Sequence, residues 1–124
     1  MFTIDNMSRK PVYEQIIAQT EKFLLTGILK PGDAMPSVRS LSISLSVNPN
    51  TIQKAYSQLD DRKIIHSVPG KGSFVCDDAL DYLAKSKKGM IPELKNTINE
   101  MKLAGIPRIE IDTVLDEIYK GEDK

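Results

Sequence analysis

The sequence predicts a mainly helical α+β fold, a winged helix-turn-helix followed by a short helical dimerisation tail. Three observations predict it. Two amphipathic segments are separated only by Ser46-Val47-Asn48. A β-branched stretch then flanks the turn Pro69-Gly70-Lys71-Gly72. Beyond residue 76 come short amphipathic segments, none long enough to close a core of its own.

Pro11 to Thr26 reads as the first helix, because Val12, Tyr13, Ile16, Ile17, Thr20, Phe23 and Leu24 keep a helical spacing. Pro11 suits a first turn and Gly27 a stop. Ile28-Leu29-Lys30-Pro31-Gly32-Asp33 is a turn, leaving Ala34 and Met35 room for a very short strand. Ser37 N-caps a second helix with the stripe Val38, Leu41, Ser42 and Leu45, and Ile43 points away from it. After the three-residue break, Asn48 caps a third helix and Pro49 takes its first position. Ile52, Ala55, Tyr56 and Leu59 fall at i, i+3, i+4 and i+7, one buried stripe. So short a break between two helices makes a helix-turn-helix. Ile64–Val68 and Ser73–Cys76 read as the strands of a hairpin with a basic, glycine-rich tip, the wing.

The boundary between domain and tail falls at residues 76 and 77. Asp77-Asp78 opens a helix with Leu80, Leu83 and Ala84, which Gly89 and Pro92 either kink or break. Leu94, Ile98 and Met101 follow on a further helix that Gly105 and Pro107 end. Val114, Leu115 and Ile118 stand on a last one, from Glu110 to Lys120. These stripes must dock on the winged domain, on a second copy, or on both. Gly121-Glu122-Asp123-Lys124 are expected to be loose.

The net charge of zero conceals an asymmetry: +3 over residues 1–76 and −3 over residues 77–124. Plus three is a weak footprint for nucleic acid, so the placement of positive groups must carry the argument. Asn50, Thr51, Gln53 and Lys54 lie on the first turns of the third helix, off its apolar stripe. Asn and Gln can bond adenine bidentately, and Lys can reach guanine or a phosphate, so the expected partner is double-stranded DNA read through the major groove. Ser37 and Arg39 are expected to clamp the backbone at the second helix's N-terminus, unless Arg39 pairs with Asp33 or Asp60. Lys71 is expected in or beside the minor groove, with Gly70 and Gly72 permitting close approach. Tyr56 is expected to pack in the core, with a phosphate contact as a secondary role.

One such helix reads few base pairs, so a homodimer on a palindromic operator is expected, with Leu94, Ile98, Met101, Val114, Leu115 and Ile118 as its interface. A winged-helix module that binds protein and has lost specific DNA binding is the alternative; the low charge favours it, and the polar residues of the third helix and the Lys71 wing argue against it.

The ordered motifs carry a resemblance. Pro11-Val12-Tyr13-Glu14-Gln15-Ile16, Gly27-Ile28-Leu29-Lys30-Pro31-Gly32-Asp33, Met35-Pro36-Ser37-Val38-Arg39-Ser40-Leu41, Asn50-Thr51 with Ala55-Tyr56 and Leu59, and Gly70-Lys71-Gly72-Ser73-Phe74-Val75 resemble the GntR family of bacterial transcription regulators. Asn48-Pro49-Asn50-Thr51 and the short tail are most similar to the YtrA-type subfamily. The resemblance implies a homodimeric regulator, usually a repressor, often of an adjacent transporter operon. It also implies that Arg39, Asn50 and Thr51 face DNA and that Gly70 and Gly72 are wing glycines. Many branches carry Arg where Pro49 stands, so base readout here must differ.

Other classes fit poorly. His66 and Cys76 both fall on the wing strands, with no nucleophile at a diagnostic spacing, so an enzyme is not expected. Two such groups complete no metal site, and no cofactor is expected. No segment approaches a membrane span, and the start of the chain lacks the pattern of a signal peptide. With a single cysteine, this fits a cytoplasmic protein. The tail is too small for an enclosed effector domain, which leaves open a small-molecule effector at the dimer interface or none.

Overall fold

The computed structural model describes residues Met1–Gly121; of the four terminal residues expected to be loose, 122–124 lie outside the described residues. The helices α1 (Val12–Leu25), α2 (Val38–Leu45) and α3 (Pro49–Asp61) are followed by strands β1 (Ile65–Val68) and β2 (Gly72–Val75). Helices α4 (Ala79–Lys88), α5 (Ile91–Leu103) and α6 (Arg108–Lys120) complete the chain. This is the winged helix-turn-helix that the periodicities predict. Two compact units result, Met1–Ser86 and Lys87–Lys124.

In the first unit Ile16, Ile52, Leu59, Ile65 and Val75 are the largest fully buried aliphatic side chains, so α1, α3 and the hairpin share one core. Every member of the expected α3 stripe is buried. The strands pair antiparallel, Ile65 with Val75 through Val68 with Gly72. The short strand foreseen at Ala34–Met35 is a single bridge, Ala34 to Phe74. Met35 N donates to Ser73 O at 2.8 Å and Val75 N to Asp33 O at 2.8 Å, which pins the wing to the segment entering α2.

Ser42 explains why a polar residue belongs on the α2 stripe. It is buried, and its hydroxyl donates to the Val47 carbonyl inside the helix-turn-helix turn. Val47 N donates back to Ser42 O at 3.1 Å, while Ser46 closes α2 in the left-handed conformation at φ 54°.

The segment before α1 packs rather than trails. Phe2 is buried and meets Phe23 edge to face, with centroids 5.1 Å apart. Gln15, also buried, accepts from Asp5 N at 2.9 Å and donates to Asp5 O and Lys10 O at 3.1 and 3.0 Å. Hydropathy patterning misses this because Gln15 counts as polar; its amide serves as a substitute strand partner.

Helix α4 buries Leu83 as expected, but the rest of its inward face differs from the expected stripe. Ala79 and Leu83 are buried in the winged core, whereas Leu80 and Ala84 are exposed. The helix starts close behind β2, with Ala79 N donating to Cys76 O at 3.1 Å, so the i, i+4 pair from Ala79 inward faces the core. Residues 79–86 therefore pack with the winged unit, although the sequence boundary lies at 76 and 77.

Gly89 and Met90 interrupt the helical run between α4 and α5. Pro92 sits in the first turn of α5, where its missing N–H leaves no bond back to the preceding helix. In the second unit α5 and α6 are joined at Gly105, φ +87°. Gly105 N donates to Lys102 O and Ile106 N to Met101 O, both at 3.0 Å, the paired bonds of a Schellman cap.

Candidate nucleic-acid interface

The α3 N-terminus is built as its sequence implies. Asn48 accepts from Asn50 N at 2.8 Å and Pro49 occupies the first turn. With the stripe Ile52, Ala55, Tyr56 and Leu59 turned into the core, Asn50, Gln53, Lys54 and Ser57 are exposed and Thr51 is half-buried. Two of these side chains already have partners. Gln53 Nε2 donates to Ser57 Oγ at 3.2 Å. Lys54 Nζ lies 4.0 Å from the centroid of the Tyr13 ring, on α1. Ser57 and Tyr13 were not among the expected site residues. The i, i+4 spacing of Gln53 and Ser57 was a legible signal for the first, but none existed for the second, because Tyr13 is 41 positions away.

Tyr56 belongs to the core. Its ring is buried, and its hydroxyl donates to the Pro36 carbonyl at 2.7 Å. Burial pushes the phenol well above the ordinary tyrosine range, so it stays a neutral donor. The proton offered to a phosphate in the sequence reading is thus committed to Pro36. The bond has another use: it ties α3 to the residue just ahead of Ser37 and so fixes the start of α2 against α3.

Ser37 caps α2 by accepting from Ser40 N at 3.0 Å. Arg39 is exposed in the first turn of α2, and no ion pair with Asp33 or Asp60 is found among the described residues. At the wing tip Lys71 is exposed and its N–H donates to Val68 O at 2.9 Å. Gly70 and Gly72 take φ +76° and +112° with open space around both. The turn requires glycine there for its backbone angles and not for lack of room inside the protein.

His66 and Cys76 meet across the hairpin, Nδ1 to Sγ 3.5 Å. Burial, then the charge of Asp60, raises the thiol pKa, so the sulfur is a poor nucleophile.

Residues 12–75 match the model of the gntR family of bacterial regulatory proteins, from the start of α1 to the end of β2. The chain belongs to the GntR family. It is 40% identical over 119 residues to the HTH-type transcriptional repressor YtrA of Bacillus subtilis, across 95% of this chain and 92% of that one. A GntR family transcriptional regulator from Listeria monocytogenes has a similar solved structure, with TM-score 0.73 and 33% identity over 92% of this chain and 98% of that one. The AraR DNA-binding domain, crystallised with operator ORX1, superposes at TM-score 0.55 and 25% identity, over 61% of this chain and 96% of that domain. The chain is a DNA-binding transcriptional regulator of the YtrA type.

Of the expected interface residues, Leu94, Val114, Leu115 and Ile118 are exposed on α5 and α6, between 45% and 58%. Ile98 and Met101 are half-buried, and Ile98 lines a hollow of about 520 Å³ with Ile106 and Ile111. Among the described residues, neither helix buries a single side chain. No helix among them is long and apolar enough to cross a membrane.

Proposed function

We propose that this chain is a cytoplasmic, non-enzymatic, homodimeric repressor that binds a palindromic operator and controls its own or an adjacent operon, a transporter operon being the leading choice. The observation that carries the reading is the α3 surface. Its apolar stripe is fully buried and Asn50, Gln53 and Lys54 stand exposed beside it. Amides in this position suit bidentate bonds to adenine in the major groove. Ser37 and Arg39 would hold the flanking backbone, Thr51 a base or phosphate, and Lys71 with Gly70 and Gly72 the minor groove. The similarity to YtrA, named a repressor, supports the sign of regulation.

Two protomers would present two reading helices to half-sites about 34–36 Å apart, or a multiple of that. The exposed apolar residues of α5 and α6 support pairing through Leu94, Ile98, Met101, Val114, Leu115 and Ile118. Selection from a randomised duplex pool, followed by a mobility shift with the DNA upstream of the gene, tests the reading. A symmetric enriched site is expected. Equal affinity for enriched and scrambled duplexes would return the chain to the protein-binding alternative.

A further inference from the structure

Lys54 is drawn to one side of α3. At about 100° per residue, Lys54 and Thr51 lie on one flank of the exposed face and Gln53 on the other. Lys54 and Thr51 share a cleft of about 450 Å³ with Asn50 and with Pro11, Val12 and Tyr13 at the start of α1. The floor of that cleft under the ammonium is the Tyr13 ring, 4.0 Å from Nζ to centroid. The tyrosine hydroxyl is turned to Glu14 Oε1 at 3.4 Å, so the ring face is what meets the lysine.

We infer that Tyr13 is a positioning residue for DNA binding: its ring holds the Lys54 ammonium over the cleft between α1 and α3, where it grips a backbone phosphate instead of reading a base. This rests on the DNA-binding reading above and refines it, because Lys54 alone could serve either purpose. A lysine stem loses much rotamer freedom when it is ordered. Stacking on Tyr13 orders it before DNA arrives, so less freedom is lost on binding. An ammonium on an aromatic face keeps donors directed outward, as an anion requires. A phosphate contact carries no sequence information, whereas Gln53 and Asn50, on the rest of the face, remain available to base edges.

The test uses the full chain and two probes: the duplex that the wild-type protein enriches from a randomised pool, and the unselected pool itself. Lys54→Met is expected to weaken both by the same factor and to flatten the slope of log K against log salt by about 0.9. It should leave the enriched consensus unchanged. Tyr13→Leu is expected to weaken both roughly two- to fivefold, the size of a cation–π contact at an exposed site. In the Lys54→Met background it should do nothing further, the mark of two residues acting as one unit. Tyr13→Phe keeps the ring and should bind as the wild type does. Since Tyr13 is half-buried, circular dichroism and Tm accompany its variants; Lys54→Met is a surface change and stands alone if Tyr13→Leu unfolds. Lost preference at one base pair in Lys54→Met would overturn the phosphate assignment. Additive effects of the two substitutions, or a Tyr13→Phe defect equal to Tyr13→Leu, would overturn the positioning role. If the wild type enriches no duplex, the operator reading fails by itself, and the pair is still scored on the unselected pool.

Discussion

Gln53 is held by a neighbour on its own helix. Its Nε2 donates to Ser57 Oγ, which fixes the amide on the exposed flank of α3 with its carbonyl oxygen turned to no partner among the described residues. Gln53→Ala should therefore relax discrimination by roughly 1–3 kcal/mol at particular base pairs while leaving total affinity for mixed-sequence DNA nearly intact. A randomised-site selection on the variant checks this, and an unchanged consensus would remove Gln53 from the reading set. Arg39 makes the opposite prediction. It is exposed and, among the described residues, pairs with no carboxylate, so Arg39→Ala should weaken binding to every sequence and flatten the salt slope by about one. Both positions were legible in the sequence, because an exposed polar residue beside a buried stripe follows from helical spacing alone. The Tyr56 hydroxyl was not: its acceptor is a carbonyl 20 positions away.

At the level of elements, the helix-turn-helix depends on a polar group that patterning treats as a blemish. Ser42 donates its hydroxyl proton to Val47 O from a buried site. Ser42→Ala strands that carbonyl and should lower unfolding stability by about 1–3 kcal/mol, measurable by urea denaturation. A cost under about 0.5 kcal/mol would show that water reaches Val47 O once the hydroxyl is gone. The leading segment is held in the same manner. Gln15 makes three hydrogen bonds to the backbone of Asp5 and Lys10. Gln15→Ala should free residues 1–10 to hydrogen exchange well before the core of α1 and α3 opens. Exchange of that segment at wild-type rates would mean that Phe2 packing and the two hydrogen bonds between Gln19 and the Thr3 backbone retain it. Helix limits came from the sequence to within a residue or two because caps and glycines are local signals. The α4 face did not, because it depends on where β2 delivers the chain.

For the molecule as a whole, α5 and α6 bury no side chain among the described residues and leave Leu94, Val114, Leu115 and Ile118 exposed. Ile98→Glu together with Leu115→Glu should yield monomers by analytical ultracentrifugation, with operator affinity reduced by at least about tenfold since one half-site is lost. A dimer that persists in the double variant would place the interface elsewhere. The winged unit should remain folded in that variant, because its core runs through Ile16, Ile52, Leu59 and Val75 and draws on nothing beyond Leu83.

The linear order of residues determined the helix-turn-helix, the wing and the family, since each rests on spacing, capping and turn chemistry within about a dozen neighbours. Tertiary structure alone decided which exposed side chains act together. Tyr13 lies beneath Lys54 because α1 packs across α3, and Tyr56 reaches Pro36 because α2 packs against the same helix. Contacts between distant segments depend on how helices cross, and a hydrophobic period fixes which face is buried without fixing what that face meets.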